Sequence, residues 1–270
     1  MTAPRTPTLI LALFCLQFSF YLSRGSLCAQ DFIFDDFSSG NDSAWTRYQP
    51  LAPFGAPGVY SFPNGGYRIQ ATASPNSASL GPGRAGSLRL DLNITANTGN
   101  FLVDSAVIAW DNTQNQSYGL LGRITTPGFG TTKGYAFTYS TSGLLAISSI
   151  NNETQTVLTS EPYQADPAKR YDFTFRGTGA TLVGELFELL PSDGKLPVAI
   201  ISVDDRTYNS GVTGLGVFSN VGLGTGDATF DNFEAFTFVV PEPSAGALIL
   251  LGAAGLIYAQ LRRRNGRSLR

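Results

Sequence analysis

Between Asp31 and Phe238, apolar residues return at every second position in short runs, each closed by glycine, asparagine, proline or serine. A period of two places alternate side chains on opposite faces of a strand, and the i, i+3, i+4 spacing of an amphipathic helix is nearly absent. The clearest run is Ser87 to Ile94, where strict alternation predicts Leu88, Leu90, Leu92 and Ile94 on one face. Tyr171 to Arg176 repeats the pattern with aromatic residues inward, and Gly177-Thr178-Gly179 predicts a hairpin into Thr181–Leu190. Tyr135, Phe137 and Tyr139 share a face; Asn151-Asn152 separates Leu144–Ile150 from Thr154–Thr159. Tyr67–Ala71, Pro197–Val203 and Gly214–Phe218 add further strands, whereas Pro50 to Asn64, rich in proline, reads as a long surface loop. About twelve to fourteen short strands in one domain predict an all-β sandwich or jelly roll. A propeller would need a self-similar period, and none is present.

Both ends of the chain break this pattern. Arg5 precedes an apolar stretch from Leu9 to Phe20, and Ser26-Leu27-Cys28-Ala29 supplies small residues before Gln30, as in a signal peptide cleaved after Ala29. At the other end, Ser244 to Leu261 holds no charge. As a helix it would rise about 27 Å, close to a hydrocarbon core of about 30 Å. Arg262, Arg263 and Arg264 follow at once and resist translocation, which predicts a transmembrane helix with a cytoplasmic end. Pro241 and Pro243 fix the backbone and remove two donors, so Val240-Pro241-Glu242-Pro243 forms an extended peptide between domain and helix. The domains read as signal peptide 1–29, β-sandwich 30–238 and C-terminal segment 239–270.

Composition narrows the chemistry. The chain has no histidine, and its two cysteines, Cys15 and Cys28, lie in the segment to be removed. Residues 30–238 carry eleven Lys and Arg against nineteen Asp and Glu, a net charge of −8. An acidic body without a basic stripe argues against nucleic-acid binding. The absence of histidine and of mature cysteine excludes Ser–His and Cys–His nucleophiles. Glycoside hydrolysis needs two carboxylates facing one bond; Glu185 and Glu188 alternate to opposite faces, and the adjacent Asp204 and Asp205 diverge. The body reads as non-enzymatic.

Val-Pro-Glu-Pro, the apolar helix and the arginine cluster, in that order, resemble the PEP-CTERM sorting signal of Gram-negative bacteria. The resemblance covers residues 239 to about 264. It implies recognition and cleavage by a membrane-embedded exosortase, transient or stable residence in the inner membrane, and delivery to the cell surface or extracellular matrix, where such proteins accompany exopolysaccharide. Independently, Tyr171-Asp172-Phe173-Thr174-Phe175-Arg176-Gly177, Leu182 to Leu186, Tyr208 to Val217 and Ala228 to Glu234 resemble the concanavalin A-like lectin/glucanase superfamily, including laminin-G-like domains. In that fold the first and last strands lie side by side, and Asp35-Asp36-Phe37 and Asp231-Asn232-Phe233 look like the terminal pair. The glucanases of the superfamily carry Glu-x-Asp-x-(x-)Glu on one strand, a string missing from this sequence.

Two sites follow as expectations. If the terminal strands pair, Asp35, Asp36, Asp231 and Asn232 supply the oxygen ligands of a structural calcium ion; the alternative is that they cap turns. Trp45, Tyr48, Trp110, Tyr118 and Tyr163 stand in polar surroundings, and Trp110-Asp111-Asn112 most resembles a carbohydrate platform with hydrogen-bonding neighbours. The alternative is that these aromatic residues fill the core. The expected function is an exported surface or matrix protein that contacts exopolysaccharide. Its rivals are a secreted glycan-active enzyme with dispersed carboxylates and a permanently anchored structural protein.

Overall fold

Tyr135, Phe137 and Tyr139 project together from one strand, and the space they fill lies between two sheets. The computed structural model describes residues 28–95, 99–192 and 194–239. The signal peptide read at 1–29 and the sorting segment read at 239–270, with Val240, Pro241, Glu242, Pro243, Arg262, Arg263 and Arg264, lie outside them but for Cys28, Ala29 and Val239. Among the described residues no helix is long and apolar enough to cross a membrane.

The strands in chain order are β1 (Cys28–Asp35), β2 (Thr46–Tyr48), β3 (Val59–Ser61), β4 (Tyr67–Ala71), β5 (Arg84–Ile94), β6 (Phe101–Trp110), β7 (Gln116–Thr125) and β8 (Lys133–Ser140). They continue as β9 (Leu144–Asn151), β10 (Thr154–Pro162), β11 (Arg170–Thr178), β12 (Thr181–Leu189), β13 (Lys195–Asp204), β14 (Gly211–Ser219) and β15 (Gly226–Val239). A single turn of helix, α1 (Ser77–Leu80), precedes β5. One sheet has eight strands in the order β13-β12-β11-β6-β15-β4-β3, with β1 also on β15; the other has seven, β10-β9-β8-β7-β14-β5-β2. This is the all-β sandwich that the alternation predicts. The expected hairpin is present, with Thr178 opposite Thr181. The first and last strands do pair. Since β4 occupies Gly226 to Phe230 on the same edge, β1 takes the later half of β15.

The core contains Phe101, Phe137, Phe173, Phe175, Phe230 and Phe233, each at most 1% exposed. Dense packing leaves no room beside these rings: a Cβ on Gly184 would stand 2.4 Å from the Phe137 ring. Arg123 is wholly buried and acts as a staple. Its guanidinium donates to the carbonyls of Gly99, Gly179 and Tyr208, so three loops at one end of the sandwich share one side chain. Burial pushes its pKa down, yet every donated bond ends on a carbonyl that would otherwise need water.

One expectation fails on register. Leu88, Leu90, Leu92 and Ile94 do not share a face: the β5–β14 pairing jumps between Arg89 and Ile94. Leu92 and Ile94 point into the core, Leu88 joins a second apolar cluster on the opposite face, and Leu90 is 52% exposed. A bulge exchanges the two faces of a strand, which alternation read from sequence does not register. Nor is Pro50–Asn64 only a surface loop. Leu51 is fully buried, two 3-10 turns shape the segment, and β3 within it pairs with β4.

Candidate functional site: a groove over the seven-stranded sheet

Hairpin β9–β10 turns through Asn152 and Glu153, both at positive φ (49° and 67°), with Asn151 opposite Thr154. A two-residue turn of this handedness matches strand twist and favours Asn-Gly; glutamate in the second place is strained. The contacts of Glu153 explain why it is there. Its carboxylate accepts from Arg84 Nε at 2.8 Å and Nη2 at 2.7 Å, from Tyr48 Oη at 2.7 Å and from the Gly130 amide at 2.6 Å. Across the sheet, Arg84 lies level with Phe218, Ser117, Ser140 and Leu144, whereas Asn151 lies level with Lys133 and Thr125 at the other end. For Arg84 and Glu153 to touch, the turn must bend back across the outer face. Beneath this flap lies the second apolar cluster, with Tyr48, Leu88, Leu121, Ile124, Ala136, Ile150 and Phe218.

The loop joining β7 to β8 forms the rest of the flap. Thr126 and Thr131 exchange side chain-to-carbonyl bonds at 2.7 and 2.8 Å, and Thr132 Oγ1 bridges both backbone groups of Gly128. Held in this way, Phe129 stays 39% exposed, its ring 4.7 Å from that of Phe54, itself 42% exposed. The Arg84 guanidinium stands 5.8 Å from the Phe129 centroid.

Between this flap and the segment from Ser79 to Gly83 lies a groove of about 600 Å³. Phe129 and Gly130 line it on one side, Ser117, Phe218, Ser219 and Asn220 below, and Asn152, Thr154 and Gln155 beside the turn. Ser117 Oγ donates to Asn220 Oδ1 at 2.8 Å, which orients that amide, and Ser219 N donates to Gly83 O at 2.8 Å. Among the described residues Arg84 and Glu153 are the only charged ones of the lining, and their side chains are 8% and 6% exposed. Burial alone would raise the Glu153 carboxyl; the bonds from Arg84, Gly130 and Tyr48 outweigh it and hold the acid below its ordinary range. Burial likewise opposes the charge on Arg84, and Glu153 restores it. A volume of this size, with an apolar wall and convergent amides and hydroxyls, lies within the range of small-molecule pockets.

The sites expected from sequence lie elsewhere. A bulge at Ile108 sets Trp110 opposite Ala228, so its ring points inward, 5.7 Å from Tyr118 and 5.9 Å from Tyr171. Trp110 and Asp111 do line a depression of about 500 Å³ on the eight-stranded sheet, beside the Arg68–Asp227 ion pair. The Asp111 carboxylate, however, is engaged by Thr113 and Gln114 in its own turn, and Asn112 is exposed beside it. Trp45, Tyr48 and Tyr118 are buried, and Tyr163 packs on the core.

Three of the four proposed calcium ligands carry hydrogen bonds of their own. Asp35 accepts from the Phe37 amide and from Trp45 Nε1, while Asp36 accepts from Ser38. Asp231 accepts from the Asn232 amide; burial raises its pKa, and the nearby Asp36 charge adds to that. Among the described residues, no three carboxylate, histidine or cysteine side chains gather around one centre. Arg84, Phe129 and Glu153 were not legible as a site. The available signal was an Asn-Glu hairpin where Asn-Gly is the rule.

No family profile matches the chain, and no curated protein matches it. Solved structures do share its fold. A prokaryotic β-1,3-1,4-glucanase (lichenase) from a mouse hindgut metagenome superposes with a TM-score of 0.52 at 14% identity, over 76% of this chain and 98% of that one. The carbohydrate binding module CBM66 from Bacillus subtilis gives 0.50 at 16%, over 72% and 96%. The lectin UEA-II complexed with galactose gives 0.50 at 10%, over 78% and 99%. The body therefore has the concanavalin A-like sandwich fold of lectins, carbohydrate-binding modules and glucanases.

Proposed function

We propose that this protein is an exported, non-catalytic glycan-binding protein of the cell surface or extracellular matrix. In this reading the groove beside Phe129 holds the saccharide, and the C-terminal segment 239–270 is a PEP-CTERM signal processed by an exosortase in the inner membrane. The observation that carries it is the groove itself: an exposed, braced aromatic rim facing amides and hydroxyls over the seven-stranded sheet. Phenylalanine offers the apolar face of a sugar ring a flat surface, and Ser79, Asn152, Thr154 and Gln155 offer its hydroxyls donors and acceptors. A lectin and a carbohydrate binding module among the structures of like fold support the same class of ligand. Glycan-array binding by the full-length protein tests the reading. Phe129→Ala, a change at an exposed side chain, is expected to weaken binding at least about tenfold, or about 1.4 kcal/mol. Ile200→Ala, on the edge strand of the other sheet, should leave it unchanged.

The rival reading, a glycan-active enzyme, draws on the glucanase among those structures. Against it stands Glu153, the one carboxylate among the described residues of the groove. Glu153 is ionised and saturated by four donors, so it has no proton to give, and the lining offers no second carboxylate at the spacing hydrolysis requires. Turnover of a labelled polysaccharide, abolished by a single Asp or Glu substitution, would establish the enzyme and overturn the lectin-like reading.

A further inference from the structure

The groove also carries information about the charge of its ligand. Acidic polysaccharides are recognised through cations with free donors, above all arginine, whose planar fork pairs with a carboxylate or sulfate. Among the described residues Arg84 is the only cation in the lining, and four of its five N–H donors are engaged within the protein. Nε and Nη2 go to Glu153, and Nη1 goes to the carbonyls of Leu80 at 2.9 Å and Pro82 at 2.8 Å. The side chain is 8% exposed, and displacing Glu153 would strand a buried carboxylate. The pair thus presents no net charge to the groove. Around it, residues 30–238 carry a net charge of −8, which repels a polyanion at long range. What remains is an aromatic rim and uncharged polar groups, Asn152, Thr154 and Gln155 among them.

Resting on the glycan-binding reading above, we infer that the ligand is a neutral polysaccharide, with no uronate, sulfate or phosphate group taken into the groove. The Arg84–Glu153 pair shapes the wall and selects by withholding its charge. The affinity for acidic chains is lost because the groove's cation is already paired with Glu153 and offers no uncompensated charge to repay their desolvation.

Affinity electrophoresis tests this, with the full-length protein kept in a detergent whose headgroup is not a sugar. Gels contain laminarin, dextran or levan as neutral probes, and alginate or hyaluronan as acidic ones. Retardation is expected in at least one neutral gel and in neither acidic gel, and Phe129→Ala should reduce it at least tenfold. Retardation by alginate or hyaluronan that fades as salt rises would overturn the neutral assignment while leaving the glycan-binding reading intact. Retardation in no gel at all would overturn both. Neutral binding that Phe129→Ala leaves unchanged would overturn the groove as its seat. Glu153→Gln gives an independent check, because it releases the Arg84 donors: acidic probes should then begin to retard the protein, and if neutral and acidic gels respond alike before and after, the pair does not select.

Discussion

Arg84 and Glu153 are 69 residues apart in sequence and meet over the outer face of the seven-stranded sheet, bidentate, at 2.7 and 2.8 Å. The contact spans nearly the length of the strands between them and joins the segment after α1 to the β9–β10 turn. Burial of both groups makes the pair unforgiving. Removing one partner leaves an uncompensated charge, at a cost of about 3–5 kcal/mol. Glu153→Ala should therefore lower the urea midpoint steeply, and Arg84→Met should do the same through the stranded carboxylate. A loss below about 1 kcal/mol in both variants would mean that the flap is held by its apolar contacts alone.

A second buried acid acts in the opposite sense. Asp172 is 3% exposed on β11; burial, reinforced by the Asp104 carboxylate, pushes its pKa up to about 7 against the pull of Lys195. The Lys195 ammonium lies against Asp172 Oδ2 without a well-directed hydrogen bond and 3.5 Å from Asp104 Oδ1, whose partner oxygen accepts from Thr174. A folded-state value above the unfolded one means that the native state binds this proton more tightly. Stability from this group is present at low pH and is lost as pH rises from about 4 through about 7, with a slope of at most about 1.4 kcal/mol per unit. Glu153, Asp42, Asp91 and Asp205 have lowered values, so their contribution is lost only as pH falls below the ordinary carboxylate range, a separate window. Urea midpoints between pH 5 and 7.5 should fall with pH in the wild type and flatten in Asp172→Asn. Equal slopes in the two proteins would refute the assignment.

The class of fold was legible because its cause is local. Tyr135, Phe137 and Tyr139 alternate inward from β8 as written, and the glycine turn between β11 and β12 sits where Gly177-Thr178-Gly179 places it. What escaped depends on events that leave no periodic trace. The bulges near Leu90 and Ile108 exchange faces, exposing one leucine and packing the half-buried Trp110 against the core. Sequence alone points to Trp and Tyr for a sugar platform, yet those residues are buried or pack on the core, whereas the exposed rim is Phe54 and Phe129. Arg123 illustrates the same limit: a fully buried arginine is chosen by three carbonyls distant in sequence, which no window of residues contains.

Metal dependence offers a sharper check on the chain's ends. Asp35 spends one oxygen on the Phe37 amide and the other on the Trp45 indole at 2.8 Å, contacts that hold the aromatic cluster of Phe37, Trp45 and Phe233 together. An ion at Asp35 and Asp36 would compete with them for the same carboxylate oxygens. Thermal unfolding should be the same in calcium and in excess chelator. A melting temperature several degrees higher with calcium would show that the terminal strands rearrange around an ion after all.

The sorting hypothesis makes the last prediction. In that hypothesis Pro241 and Pro243 would keep the peptide after β15 extended, and the apolar stretch from Ser244 to Leu261 with Arg262, Arg263 and Arg264 would hold the chain in the bilayer. At the other end, the bond expected to be cut, Ala29–Gln30, falls inside β1, which pairs with β15. A proteolytic site needs an extended and accessible backbone, and a strand in a completed sheet gives only the first of these. N-terminal cleavage should therefore precede the docking of β15, the last strand of the body to emerge. The intact mass of the mature protein checks both cuts at once. A mass that starts at Gln30 and ends near Pro243 is expected, and Pro241→Ala combined with Glu242→Ala should retain the C-terminal helix and move the protein to the membrane fraction. Identical mass and location for wild type and variant would remove the exosortase from the account and leave a permanently anchored protein, with the groove's chemistry untouched.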